Sequence, residues 1–215
     1  MYKVNIVIPS ITLDSRLIRC LNGIKNLNYK NFFVTLVLDD KKNLSILKKF
    51  NFKINILQLN KANMSTKRNI AAKKFKSAFL AFIDSDACPN KNWLSKAMKE
   101  VKKKKIKIIG GPNIPFKNLN LWQKATYYSK RSFFVTAHYN FINYKSKNRY
   151  CEFLHSSNFI IEKRLYLSIN GMNEYLYIGE DHDFFYRLNY KYKNIKIYFH
   201  KDVSVYHEDR EFNFF

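Results

Sequence analysis

The sequence predicts an α/β fold built on a mostly parallel sheet, and three observations carry that expectation. Short apolar runs alternate with segments whose apolar residues recur at helical spacing, the pattern of strand–helix–strand units. The apolar runs are strand-sized and bounded by charge, and none approaches the roughly 20 residues that span a bilayer. Acidic residues follow directly on two of the runs, and in open parallel sheets ligands bind outside the carboxyl ends of the strands.

Residues 4–8 are an apolar run stopped by Pro9-Ser10, which reads as a buried strand ending in a loop. Leu17, Ile18, Leu21, Ile24 and Leu27 then recur at helical spacing, with Asp14 or Ser15 as the cap. Residues 33–38 form a second strand ending at Asp39-Asp40, residues 44–50 a short helix and residues 54–59 a third strand. Residues 65–75 carry a helical pattern capped by Ser65, and 78–83 are a fourth strand ending at Asp84-Ser85-Asp86. Residues 93–101 are helical, the lysine run 102–105 is a solvated helix end, and 106–109 form a strand before Gly110-Gly111-Pro112.

The second half has another texture. Residues 121–139 are aromatic and poor in acids, a helix followed by a loop. Residues 158–161 read as a strand, and 163–169 as a short helix stopped at Asn170-Gly171. Residues 183–192 place Phe184, Phe185 and Leu188 at helical spacing, and 195–199 and 203–206 close the chain as short strands. No repeat and no Pro/Gly/Ser-rich linker divides it, so one domain spanning 1–215 is expected.

The chain carries 39 Lys and Arg against 16 Asp and Glu, a formal charge of +23. Lysine dominates, in a sequence also rich in Asn, Ile, Tyr and Phe, which share A/T-rich codons. A low-G+C genome is therefore the main reading of the charge, and a basic face toward anionic lipid or nucleic acid is the second. Cys20, Cys88 and Cys151 are odd in number and lack metal-type spacing, so they read as reduced thiols. The start runs straight into a strand without a signal-peptide pattern, and a cytoplasmic protein is expected.

Four segments offer chemistry. Asp84 and Asp86, one residue apart past a buried strand and separated by the small Ser85, can both reach a hard cation such as Mg²⁺ or Mn²⁺. Asp39-Asp40, at another strand end on the same rim, can accept hydrogen bonds from a base or ribose, or serve as solvated turn carboxylates. Glu180, Asp181 and Asp183 open a helix, where the dipole favours one or two acids and a denser cluster can supply a general base. His207 is a candidate third metal ligand, a phosphate contact or a surface histidine, and Lys67-Arg68 are candidates for pairing with a pyrophosphate.

Taken in order, six segments resemble family 2 glycosyltransferases. Val7-Ile8-Pro9-Ser10 resembles the opening strand, Val37-Leu38-Asp39-Asp40 the nucleotide-binding Val-Asp-Asp element, and Thr66-Lys67-Arg68-Asn69-Ile70-Ala71 the Ala-Arg-Asn-x-Ala helix. Phe82-Ile83-Asp84-Ser85-Asp86, with Pro89 and Trp93-Leu94 following, is similar to the metal-binding Asp-x-Asp region. Ser157-Asn158-Phe159 with Gly171-Met172-Asn173-Glu174 resembles the acceptor-side segment, and residues 179–188 the Glu-Asp signature.

The resemblance implies a GT-A fold, with a Rossmann-like, mostly parallel sheet flanked by helices and a smaller acceptor-side C-terminal part. Residues 1–111 would be the nucleotide-sugar half and 112–215 the acceptor half. It implies that Asp40 contacts uracil or another base with Asp39 in support, that Arg68 lies near the base or diphosphate, and that Pro9 and Ser85 line the same site. Asp84 would meet ribose or metal, and Asp86 would be the principal ligand of Mn²⁺ or Mg²⁺. Asp181 would be the base of an inverting displacement, with Glu180 orienting the acceptor. The chain departs from the pattern at Lys41-Lys42-Asn43, where Gly-Ser-Thr is usual, and at Ile11-Thr12, where Tyr-Asn is often found. It lacks the Gln-x-x-Arg-Trp motif and membrane helices of processive synthases, which implies addition of one sugar or few.

Two other classes compete. A basic nucleic-acid-binding protein fits the charge but leaves the acids at strand ends unexplained, and no recognisable nucleic-acid module is present. A metal-dependent nucleotidyltransferase calls for a Gly-rich basic loop after the first strand, where Pro9-Ser10-Ile11-Thr12 stands. The expectation is therefore a hexosyltransferase-type enzyme using a nucleotide-sugar, a UDP-sugar by preference, on a glycan or lipid-linked acceptor in cell-surface polysaccharide synthesis. It would meet the anionic inner membrane face peripherally, with no specific nucleic-acid partner. Residues 112–150 are expected to shape the acceptor pocket.

Overall fold

The computed structural model describes residues 1–40, 42, 44–116, 120–129 and 147–207. Strand β1 (Val4–Pro9) is buried at all six positions because it runs through the sheet between two parallel neighbours. These are β2 (Phe32–Leu38) and β4 (Phe79–Ile83), and β3 (Ile54–Gln58) extends the sheet beyond β2. Unbroken Val, Ile, Leu and Phe runs are what strands covered on both faces require. One face packs on α1 (Ser15–Lys25) and α3 (Trp93–Lys104) through Leu17, Leu21, Ile24, Trp93, Leu94 and Ala97. The other packs on α2 (Met64–Lys74) through Ala71 and Ala72, and on α5 (Lys163–Leu167) and α6 (Glu180–Lys191) through Tyr166, Phe184, Phe185 and Leu188. A further helix, α4 (Leu121–Ser129), covers the start of the long aromatic segment; residues 130–139 of that expectation lie outside the described residues.

Local chemistry sets the helix starts. Asp14 caps α1 by accepting from Leu17 N–H at 2.9 Å. The cap of α2 is Asn63, not Ser65: Asn63 is extended and its side chain accepts from Thr66 N–H at 2.8 Å. Ser65 therefore falls inside the first turn and is buried. At the far end of α3, Lys105 adopts a left-handed conformation that stops the helix, and Lys102, Lys103 and Lys104 complement the negative end of its dipole.

The large sheet has the order β3-β2-β1-β4-β9-β6-β10-β8. Here β6 is Ile108–Gly110, β8 Arg149–Cys151, β9 Asn158–Glu162 and β10 Ile197–Phe199. Strand β9 runs antiparallel between β4 and β6, so a segment from the second half of the chain enters the middle of the sheet. A separate three-stranded sheet, β5 (Ala87–Pro89), β11 (Val205–His207) and β7 (Asn113–Pro115), lies next to the end of β4. Tripeptide strands carry no period to read, which is why β5 and β7 escape a pattern-based reading.

Two polar hubs hold these parts in register. The buried Asn158 accepts from Trp93 Nε1 at 2.8 Å and donates to the carbonyls of Pro112 and Val203. The buried Asn69 accepts from Tyr166 Oη (2.6 Å) and Met172 N–H (2.9 Å), and donates to the Met172 carbonyl and Glu174 Oε1. Gly171 sits against this second hub at φ +73°, and a Cβ there would lie 2.2 Å from Asn69 Oδ1. Gly171→Ala is expected to destabilise the protein by about 2–3 kcal/mol, combining backbone strain with disruption of buried hydrogen bonds. Urea unfolding of the two proteins measures this, and coincident midpoints would show that the turn relaxes at no cost.

Candidate active site

Strands β1, β2 and β4 end on one rim, and each delivers polar groups to it. Past β4, Asp84-Ser85-Asp86 form a turn closed by the Ala87 N–H on the Asp84 carbonyl at 3.1 Å. Strand β5 then pairs with β11 so that Ala87 stands opposite His207. This register brings His207 Nε2 to 3.7 Å from Asp84 Oδ2 and 3.4 Å from Asp86 Oδ1. The three side chains offer ligand atoms that all lie within 4.8 Å of one another. Asp86 Oδ1 is buried and accepts no hydrogen bond, so one carboxylate oxygen is left for a cation.

The two carboxyls differ in electrostatics. Burial pushes Asp86 above the ordinary range; the nearby His207 opposes this and the Asp84 charge adds to it. Burial would also raise Asp84, but the Arg68 guanidinium and then His207 outweigh it and hold that carboxyl at about 2.

Arg68 is the centre of the arrangement. It is 2% exposed, with Nη2 2.7 Å from Asp84 Oδ1 and Nη1 3.1 Å from Glu180 Oε1. It thereby joins the loop after β4 to the first turn of α6. Glu180 Oε1 also accepts from Ser156 Oγ at 3.1 Å. Asp181 Oδ2 accepts from Ser156 N–H at 3.2 Å and faces His155 Nδ1 at 3.7 Å, beyond hydrogen-bond length but within ion-pair reach. Burial would raise the Asp181 carboxyl, yet His155 and then the Ser156 N–H hold it below the ordinary range.

The acid-rich first turn of α6 divides by direction. Glu180 and Asp181 face the cleft, whereas Asp183 pairs with Arg187 at 2.8 Å. Arg187 in turn donates to the carbonyls of Ile169 and Gly171, clamping the turn that precedes the site. Lys67 is also structural: it is fully buried, 2.6 Å from Asp39 Oδ1, and donates to the Ser10 carbonyl. The expected pairing of Lys67 with a pyrophosphate is thus replaced by an ion pair that ties the ends of β1 and β2 together.

An open cleft of about 740 Å³ is lined by Pro9, Asp39, Arg68, Asp84, Ser85 and Asp86 together with Ser156, Glu180 and Asp181. Asp40 is outside this lining; it accepts from Lys42 N–H in the adjoining turn. The structure adds His155 and Ser156 beside the acids, and residues 61–65 and 176–178 as further walls. Ser156 adjoins the Ser157-Asn158-Phe159 segment, but no pattern in the sequence singled it out.

Residues 5–169 match the model of the family described as glycosyl transferase family 2. The chain belongs to that family. This family 2 protein is 29% identical over 105 residues to the poly(ribitol-phosphate) beta-N-acetylglucosaminyltransferase TarS of Staphylococcus aureus, a match covering 45% of this chain and 18% of TarS. The solved structure of TarS residues 1–349 with UDP-GlcNAc shares its fold with TM-score 0.71 at 18% identity, covering 98% of this chain and 60% of that one. The mannosyltransferase PcManGT of Pyrobaculum calidifontis, solved with GDP-Man and Mn²⁺, gives TM-score 0.69 at 12% identity, over 96% and 56% of the two chains. These likenesses establish the GT-A fold, and this family 2 chain spans less than two thirds of each of these relatives. The matched family segment includes the Asp84–Asp86 turn and stops before Glu180 and Asp181, so the acids of α6 are joined to the site by their geometry.

The Arg68 bridge yields a pH dependence. Asp84 titrates near 3.8 when unfolded and about 2 when folded, so its stabilisation is full above about pH 4 and is lost as pH falls through 2. That shift corresponds to roughly 2 kcal/mol in the metal-free protein. Arg68→Met is expected to cost about 3 kcal/mol or more at neutral pH by leaving carboxylates uncompensated, and to flatten this acid dependence. Urea unfolding of both proteins across the acid range measures both effects, and wild-type stability in the variant would show that the bridge supports nothing.

Proposed function

We propose that this chain transfers a sugar from a nucleotide-diphosphate sugar, a UDP-sugar by preference, to a hydroxyl of a glycan or lipid-linked acceptor in cell-surface polysaccharide synthesis. The observation that carries the reading is one cleft lined by Asp84 and Asp86, two members of a candidate metal triad, and by Asp181, a carboxylate held in its ionised form. The nucleotide-sugars and Mn²⁺ held by the solved relatives, and the poly(ribitol-phosphate) in the TarS name, support it.

Asp86, Asp84 and His207 are the groups that would hold Mn²⁺ or Mg²⁺, two carboxylates and an imidazole with one buried oxygen that accepts no hydrogen bond. Such an ion, when bound, neutralises charge on the departing nucleoside diphosphate. Pro9, Asp39 and Ser85 line the donor wall, with Asp40 reaching the base from the neighbouring turn. Arg68 keeps Asp84 ionised and fixes Glu180, which orients the acceptor. Asp181 takes the proton of the attacking hydroxyl as the new C–O bond forms and the bond to the diphosphate breaks. A single in-line displacement of this kind inverts the anomeric carbon.

We read residues 1–215 as one transferase domain whose donor half (1–111) and acceptor half (112–215) share the sheet through β9. No helix among the described residues is long and apolar enough to cross a membrane. The formal charge of +23 therefore favours a peripheral position on the anionic inner membrane face for a cytoplasmic enzyme.

The first test is calorimetric binding of a panel of nucleoside diphosphates with and without Mn²⁺. Wild type is expected to bind UDP only with the metal, and Asp86→Ala to weaken that binding about 100-fold or more, as loss of a metal ligand implies. A well-folded wild type that binds no nucleotide would remove the donor site. Asp181→Asn is expected to bind nucleotide normally while kcat drops about 10²- to 10⁴-fold, the usual worth of a general base. Because the Asp181 carboxyl lies below 3.8, its protonation should depress kcat/KM only as pH falls below about 4. Near-wild-type transfer by the Asn variant would sink the base assignment.

A further inference from the structure

Four consecutive residues at the mouth of the cleft stand out by exposure. Tyr175 is 93% exposed, Tyr177 86% and Ile178 91%, with Leu176 half-buried between them. Apolar side chains left in water gain nothing from folding, and a contiguous exposed group of them marks a contact surface. We propose that the strap Tyr175–Ile178 recognises the acceptor, taking a sugar ring or alditol unit against its aromatic and apolar side chains. This deepens the sugar-transfer reading of the cleft and rests on it.

The strap is held at both ends. Before it, the Glu174 carboxylate accepts from Thr66 Oγ1 at 2.9 Å and Asn69 Nδ2 at 2.8 Å, and its carbonyl accepts from Asn63 Nδ2. After it, Glu180 is fixed by Arg68 and Ser156. Between these anchors the hydrogen bonds are local: Tyr175 N–H donates to Asn173 Oδ1 and Leu176 N–H to the Asn173 carbonyl. The path of the strap is thus set while its side chains stay out of both cores.

Its position selects the partner. Leu176, Tyr177 and Ile178 line the cleft immediately before Gly179-Glu180-Asp181, so an acceptor hydroxyl that reaches Asp181 lies beside them. The same cleft is lined by Asp39, Asp84 and Asp86, the charged groups that suit a nucleoside diphosphate and its metal. What the strap offers is aromatic and aliphatic surface, and the C–H faces of sugars and alditols are the part of an acceptor that packs on such surface.

The test labels the protein with 3-fluorotyrosine and assigns the Tyr175 and Tyr177 fluorine resonances by Tyr→Phe substitution. Methyl β-N-acetylglucosaminide and ribitol 5-phosphate are then titrated with and without UDP and Mn²⁺. The expected result is a saturable shift of the Tyr177 resonance by at least one of the two. That shift should persist in Asp86→Ala, which separates the strap from the donor site and lets either reading fail alone. No shift from either probe, a shift produced by UDP and Mn²⁺ alone, or one that follows protein concentration would overturn the proposal, the last by assigning the strap to a second copy of the chain. As a second measurement, Tyr177→Ala with Ile178→Ser is expected to raise the KM for acceptor about tenfold while UDP binding is unchanged, the scale of losing one stacked ring. Both positions are exposed, so the fold should tolerate the change. An unchanged KM would equally overturn the proposal.

Discussion

The site depends on a buried guanidinium. Arg68 is almost sealed from water and sits between Asp84 and Glu180, two carboxylates that lie 96 positions apart in the chain. A buried cation is tolerated only when its charge is met, and here Asp84 also gains, because the cation keeps it ionised against its own burial. Removing Arg68 leaves two carboxylates uncompensated, and removing either carboxylate leaves a buried cation with one partner. The loop after β4 and the first turn of α6 are therefore coupled electrostatically as well as by packing.

One turn of α2 does more than this. Lys67 and Arg68 are adjacent, and the helix turns about 100° per residue, so their side chains leave in different directions. Lys67 pins Asp39 and Ser10 at the ends of β2 and β1, while Arg68 pins Asp84 and Glu180. Asn69 then holds Met172 and Glu174 at the entry to the strap. Three consecutive residues thus collect most of the rim. The helix is not amphipathic in the ordinary sense: its buried face carries Ser65, Lys67, Arg68 and Asn69 beside Ala71 and Ala72. Lys67, Arg68 and Asn69 are buried with their charge or hydrogen bonds met, by Asp39 and the Ser10 carbonyl, by Asp84 and Glu180, and by Met172 and Glu174 respectively.

The Glu-Asp signature divides the same way. Its spacing places Glu180 and Asp181 toward the cleft and Asp183 toward Arg187, one turn on. The second pair supports the Gly171 turn, so a motif that reads as one chemical cluster is half chemistry and half scaffold. Dipole stabilisation at the helix start favours all three acids without distinguishing their tasks.

Strand-sized apolar runs, their termination at acidic residues, a cap at Asp14 or Ser15, the stop at Asn170-Gly171, and the helical stripe of α6 were all legible in the chain, because period and punctuation are local properties. So was the order of motifs that marks family 2. The tertiary structure alone decided that β9 enters antiparallel between β4 and β6, since strand partners are chosen by long-range packing that no local pattern encodes. It alone placed His207 against Asp84 and Asp86, through a tripeptide register 120 residues away in sequence from Ala87. It alone turned Lys67 inward and brought His155 and Ser156 to Asp181. The sequence by itself specified which residues could do chemistry; the direction each side chain takes, and so which of them meet, follows from burial and charge compensation between segments distant in the chain.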